Sequence, residues 1–143
     1  NVKELRNEIL KKDFRHLKTS SDSEVILNIF AHALEKNKSL TLTKEQIFKA
    51  VDEVHNRVQG AYSVIIILLG HGLVAFRDPH GIRPLIYGSK GKGKYMIASE
   101  SVALDCLGYK VERDIKPGET VFIDLNEKIY FHDYPTKKEY RKF

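Results

Sequence analysis

The chain has a single cysteine, Cys106, so it excludes an internal disulfide framework and any multi-cysteine zinc site built within these residues. It also lacks a long hydrophobic run. No apolar stretch approaches the roughly 20 residues that a membrane-spanning helix requires, and the first residues are charged, without a secretory apolar segment. These absences point to a cytoplasmic parent protein and away from any membrane partner. The six histidines, His16, His32, His55, His71, His80 and His132, show none of the paired spacings expected of a zinc site. Scattered polar or turn roles are the expectation for them.

What is present is an ordinary globular composition: 143 residues, 42% hydrophobic and 30% charged, the length of one domain with enough apolar residues for a core. The net charge of +5 would suit nucleic acid, but the cations sit at the edges. Lys11, Lys12, Arg15 and Lys18 cluster early, Lys90, Lys92 and Lys94 share a loop, and Lys137, Lys138, Arg141 and Lys142 form a tail. No recognition helix, aromatic base-stacking pair or zinc-finger spacing accompanies them, so solvated faces are expected and no nucleic-acid partner. The competing reading, a small nucleic-acid binder, predicts association that weakens steeply with salt.

The first third is helical in pattern. A short amphipathic piece spans about Lys3 to Lys12, with Leu5 and Ile9 on one face. Ser21 and Glu24 have the spacing of a capping box ahead of Val25, Ile26, Ile29, Phe30, Ala33 and Leu34. Thr43 and Gln46 repeat that box before the stripe Ile47, Val51, Val54, Val58, and Gly60 ends the helix. Beyond Gly60 the period changes to strands. Val64 to Leu69 is apolar at every position, which predicts a strand covered on both faces. Gly70-His71-Gly72 turns the chain into Leu73 to Phe76, Asp78-Pro79-His80-Gly81 suits a type I turn, and Leu85 to Tyr87 reads as the third strand of a meander. Tyr95 to Ala98 and Glu119 to Asp124 add strands, about Glu100 to Leu107 a short helix, and Ile129 to Phe131 a closing hairpin. Helices followed by a mostly antiparallel sheet make the fold class α+β.

Several features invite chemical readings. Gly88, Gly93 and Lys94 open a phosphate-loop pattern, but Tyr95 replaces its Ser/Thr and a strand follows where a helix is needed, so 89–94 is read as a basic hairpin loop. Arg77, Asp78 and Arg83 are expected to hold their turn as paired charges. Cys106, amid Val102 to Leu107, is expected to pack on an apolar helix face.

The run from Gly70 through Arg77-Asp78-Pro79-His80-Gly81-Ile82-Arg83-Pro84-Leu85, then Ala98-Ser99-Glu100-Ser101-Val102-Ala103-Leu104-Asp105, with Thr19-Ser20-Ser21-Asp22-Ser23-Glu24 upstream, resembles the glutaminase domain of the amidophosphoribosyltransferase family. The resemblance covers Asn1 to about Tyr134. It implies a partial four-layer αββα sandwich of the N-terminal-nucleophile hydrolase type. It also implies a parent enzyme that hydrolyses glutamine and passes the ammonia to phosphoribosyl pyrophosphate, giving phosphoribosylamine for purine biosynthesis. On this reading 1–134 is the second half of a class II glutaminase domain, and 135–143 a basic tail or linker toward an absent phosphoribosyltransferase domain.

That family uses an N-terminal cysteine whose own amine is the base, and an Asn-Gly pair for the oxyanion. Neither has a counterpart here: Asn1 carries no nucleophilic group and Cys106 has a peptide nitrogen. No catalytic residue is therefore assigned, and the chain alone is expected to be inactive. One substrate residue carries over. Asp22 matches the aspartate that binds the glutamine α-ammonium, although an acidic residue in a first helical turn also serves the helix dipole. The resemblance implies no cofactor in this chain, magnesium for the absent phosphoribosyltransferase domain, and a homo-oligomer. Two alternatives stay open: a glutaminase module of another class II amidotransferase, and a catalytically dead scaffold.

Overall fold

The computed structural model describes residues 21–36 and 42–135. The expected helix over Lys3 to Lys12 and the basic tail lie outside them, as do the side chains of Ser21 and Asp22 and hence the first capping box. Helix α1 spans Ser21–Glu35 and α2 Lys44–Arg57. Thr43 caps α2: its hydroxyl accepts the Gln46 N–H at 3.2 Å while the Gln46 side chain accepts the Thr43 N–H at 3.0 Å. Two otherwise orphaned donors are thereby satisfied. Thr43→Ala is expected to cost about 1 kcal/mol, read as a lower urea midpoint at unchanged slope. The stripe on α2 is buried as expected through Ile47, Val51 and Val54. On α1 the buried set is Ile26, Leu27, Phe30, Ala31 and Leu34, while Val25 is exposed.

Seven strands follow: β1 Ser63–Leu68, β2 Gly72–Arg77, β3 Ile86–Ser89, β4 Tyr95–Ala98, β5 Lys110–Asp114, β6 Glu119–Asp124 and β7 Ile129–Asp133, with the short helix α3 Ser101–Cys106 between β4 and β5. They form two antiparallel sheets, ordered β1-β2-β6-β7 and β4-β3-β5. The expected meander is therefore corrected. β1 and β2 make a hairpin, but β2 gives its other edge to β6, so the chain leaves after the Asp78 turn and β3 opens the second sheet. The turn itself is as expected, with the Gly81 N–H on the Asp78 carbonyl at 3.0 Å. Gly72 is required where β2 passes β6: a Cβ there would lie 2.1 Å from the Ile123 carbonyl oxygen, at φ +141°.

Four layers result. Helices α1 and α2 pack on the first sheet through Phe30, Leu34, Val51 and Val54 against Ile66, Leu68, Val74, Phe76 and Phe122. The opposite face of that sheet, with Ala75 and Val121, packs on the second sheet through Leu85, Ile97 and Ile115. Helix α3 covers the far side of the second sheet with one buried residue, Leu104, seated where Gly88 has no side chain. This is the α+β sandwich that was expected.

Strand β1 corrects a second expectation. Val64, Ile66 and Leu68 are buried, but Ile65 and Ile67 are 38% and 48% exposed. The physical reason is that β1 is an edge strand, and the residues packed on the second sheet come from β2, β6 and β7, with none from β1. Cys106 is likewise exposed, not packed. Six residues make too short a helix to bury a second face, and Val102 and Leu107 stand in solvent beside it.

Candidate functional site

A cleft of about 520 Å3 opens at one end of the sandwich. Its walls are the start of α1 at Ser23, the α2–β1 loop through Gly60 and Tyr62, Arg83 after the Asp78 turn, and Ser99 and Glu100 ahead of α3. Asp22, the one residue expected to bind substrate, lies in the first turn of α1 next to Ser23; its side chain is outside the described residues. Glu100 occupies the N-cap position of α3 in an extended conformation, yet its side chain makes no capping bond. Glu100 is exposed and is one of the residues that line the cleft.

The cleft is held in shape by Asp78 and Arg77. Asp78 is fully buried. Its Oδ1 accepts the N–H groups of Tyr62 at 3.3 Å and Arg83 at 3.2 Å, and its Oδ2 that of Ile82 at 3.1 Å. One carboxylate thus ties the Tyr62 wall to the Arg83 wall. Arg77 brackets the same turn from outside: Nε donates to the Arg83 carbonyl at 2.6 Å, and its two terminal nitrogens to the Ile115 and Gly81 carbonyls at 2.6 and 2.8 Å. The sequence suggested paired charges here. Instead both side chains spend their hydrogen bonds on the main chain, because a tight turn leaves more N–H and C=O groups unpaired than two side-chain charges could satisfy.

Behind the Tyr62 wall lies a histidine that sequence reasoning placed among scattered polar residues. His55 is 2% exposed and its Nδ1 is 2.8 Å from the Tyr62 hydroxyl. Its ring stacks on Tyr62 and meets Phe76 and Tyr134 edge-on. Burial, the largest influence, holds its pKa down at about 4; the Asp78 charge and the Gly118 carbonyl oppose the shift and His132 adds to it. The signal that would have found it is position: His55 follows Val54 on the apolar stripe of α2. A second missed group is Glu119, 1% exposed, which takes both ends of the Arg113 guanidinium at 2.7 Å and the Lys116 N–H at 2.8 Å.

The loop 89–94 closes the β3–β4 hairpin through the Lys90 N–H on the Lys94 carbonyl, as its glycines and lysines suggested. Among the described residues no three His, Cys, Asp or Glu side chains come together as a metal donor set.

Two facing antiparallel sheets between helical layers, with a polar cleft at the head of α1, define the architecture expected of the N-terminal-nucleophile type. A profile of the glutamine amidotransferase domain matches residues 1–106. The chain belongs to the glutamine amidotransferase domain family. Within it, the chain is 50% identical over 133 residues to an amidophosphoribosyltransferase of Pseudomonas aeruginosa, covering 91% of this chain and 26% of that protein. It is 45% identical over 134 residues to the Escherichia coli amidophosphoribosyltransferase, again 91% and 26%. The structure superposes on that of the glutamine phosphoribosylpyrophosphate amidotransferase from B. subtilis complexed with ADP and GMP, with a TM-score of 0.64, 28% identity, and coverage of 93% of this chain and 28% of that one. The chain thus spans about a quarter of the length of these curated relatives.

Proposed function

We propose that this chain is the later part, 1–134, of the glutamine-hydrolysing module of an amidophosphoribosyltransferase. The observation that carries it is the position of Asp22, in the first turn of the helix that opens onto the 520 Å3 cleft. There a carboxylate receives the α-ammonium of glutamine, while the family's N-terminal thiol, its amine and its oxyanion donors come from residues that this sequence does not contain. The bare apolar side of β1 supports the same account, since Ile65 and Ile67 have the character of a surface that another part of a larger module covers.

In the whole enzyme the released ammonia goes to C1 of phosphoribosyl pyrophosphate with loss of pyrophosphate. Magnesium and that substrate belong to a further domain, toward which 135–143 leads. By the same resemblance the parent is a cytoplasmic homo-oligomer. Cys106, exposed on α3 and not among the cleft residues, takes no part in hydrolysis.

The test is an amide NMR titration of the chain with L-glutamine and with an analogue lacking the α-ammonium. L-Glutamine is expected to shift Ser23, Tyr62 and Ser99, the analogue to bind at least tenfold more weakly, and Asp22→Ala to remove that difference, an effect of roughly 1.5–3 kcal/mol for a charge-assisted hydrogen bond. Ammonia release from glutamine by this chain alone is expected to be nil. Equal binding of the two ligands, or measurable turnover, overturns the proposal.

A further inference from the structure

Both sheets are open on the same side. In the first, β1 pairs only with β2, and in the second β4 pairs only with β3, so among the described residues no strand meets the outer edge of either. The other flank is closed. There Arg113 of β5 binds Glu119 of β6, its guanidinium carbon lies 4.7 Å from the centre of the Phe131 ring of β7, and Tyr87 of β3 meets the same ring. With β5 and β3 set against β6 and β7, β4 falls on the β1 side. Accordingly Ser63 and Val64 of β1 line the cleft together with Ser99 and Glu100, just past β4.

The second sheet has three strands against four in the first, and the shortfall lies over β1. Ile65 and Ile67 alternate with the buried Val64, Ile66 and Leu68, which pack on the helices, so they point toward the second sheet. Across the ladder their partners are Ala75 and Leu73, both part of the core between the sheets. The apolar row of that core therefore continues onto β1 and loses its cover there, leaving both isoleucines exposed.

The neighbouring edge decides what kind of element fits. Strand β4 offers main-chain N–H and C=O groups along its free edge, and an extended segment can pair with these while laying alternate side chains on the adjacent apolar face. A docked helix would shield the isoleucines but leave the edge unpaired. The curated relatives are about four times as long as the part this chain matches, so they have further residues to supply such a segment.

We infer that one further strand, from the earlier part of the glutamine-hydrolysing module, adds to the free edge of β4 and seats its inward side chains on Ile65 and Ile67. This rests on the reading above, that the chain is the later part of that module. The inward residues of the added strand are apolar at every second position. One end of it comes to the cleft between Ser63 and Ser99, so a single segment closes the core and completes the cleft wall.

To test this, the segment of the Pseudomonas aeruginosa relative that precedes the part matched by this chain is joined to Asn1. Ile65→Cys, Ile67→Cys and Leu125→Cys are made singly in the joined and the original chain, and mass spectrometry follows labelling of each new cysteine by N-ethylmaleimide. All three positions are exposed in the original chain, so rates within about fivefold of one another are expected there. Joining is expected to slow positions 65 and 67 at least about tenfold and to leave 125, in the β6–β7 turn, within about twofold. Hydrogen exchange separates a strand from any other cover: every second amide of β4, those facing away from β3, is expected to slow about tenfold. The segment added as a separate polypeptide gives a second route to the same readouts. Unslowed cysteines at 65 and 67 in both forms, or slowed cysteines without the alternating amide pattern, overturn the added strand. Glutamine turnover is read apart: protection without turnover keeps the strand and sinks the glutamine reading, whereas turnover without protection does the reverse.

Discussion

Replacing Asp78 with alanine is expected to cost on the order of 4 kcal/mol, near the upper end for a single substitution. The carboxylate is fully buried and accepts three main-chain N–H groups, from Tyr62, Ile82 and Arg83. Alanine leaves the Tyr62 donor without its acceptor in a buried setting and the Ile82 and Arg83 donors in a part-buried one, and each such loss is worth about 1–3 kcal/mol, least where water can reach. Asparagine separates the parts of this effect. It keeps one acceptor oxygen but presents an N–H2 group to a backbone N–H, so a loss of about 2 kcal/mol is expected. Urea unfolding at constant slope is the measurement. The damage should also be directional: with the Tyr62 and Arg83 walls no longer tied together, the glutamine-dependent amide shifts at Tyr62 should weaken even in conditions where the variant is folded. A cost below about 1 kcal/mol for Asp78→Ala would show that the turn is held by Arg77 alone.

The same residues show how far the sequence reveals the molecule. Asp78-Pro79-His80-Gly81 announced its turn because Pro and Gly fix dihedral angles locally, and the α2 cap was legible because Thr43 and Gln46 satisfy each other within four residues. The partners of Arg77 were not legible. Its acceptor on Ile115 is 38 residues away, brought in only when the second sheet stacks on the first. Strand β5 was missed for a related reason: Lys110 to Asp114 has no apolar alternation, and pairing with β3, across a register shift at Tyr87 and Gly88, makes it a strand. The unbroken apolar run of β1 suggested two covered faces, and the structure covers one. Composition records what a strand can bury, whereas the second sheet decides what is buried.

At the site, the position of Asp22 came from a motif; the cleft's other walls, Tyr62, Arg83 and Glu100, lie far apart along the chain, and although Arg83 and Glu100 stand in stretches that carry the resemblance, nothing in the sequence brings them together. His55 was hidden for a different reason. A histidine on an apolar stripe looks polar by composition, and only the surrounding rings of Tyr62, Phe76 and Tyr134 reveal a neutral core side chain.

That neutrality gives the second large expected effect, a loss of stability in mild acid. His55 has its pKa lowered from 6.5 to about 4, first by burial, against the opposing pull of Asp78 and the Gly118 carbonyl. Below the ordinary imidazole range the unfolded chain takes up a proton that the folded chain refuses, so unfolding is favoured. The stabilisation is therefore fully present above about pH 6.5 and is lost progressively toward pH 4, where roughly 3 kcal/mol has gone. Asp52 acts in the opposite sense. Burial raises its pKa despite His132, so protonating it in acid relieves a buried charge and adds stability. The two are separated by His55→Phe, which keeps an aromatic ring against Phe76 but cannot bind a proton. This variant should be less stable near neutrality, because the Tyr62 hydroxyl loses its 2.8 Å partner, yet it should lose less stability on acidification. Urea midpoints followed from about pH 7 to about pH 4.5 for both proteins give the two slopes. Parallel slopes would mean that His55 titrates alike in the folded and unfolded chains, and that solvent reaches the ring behind the cleft wall.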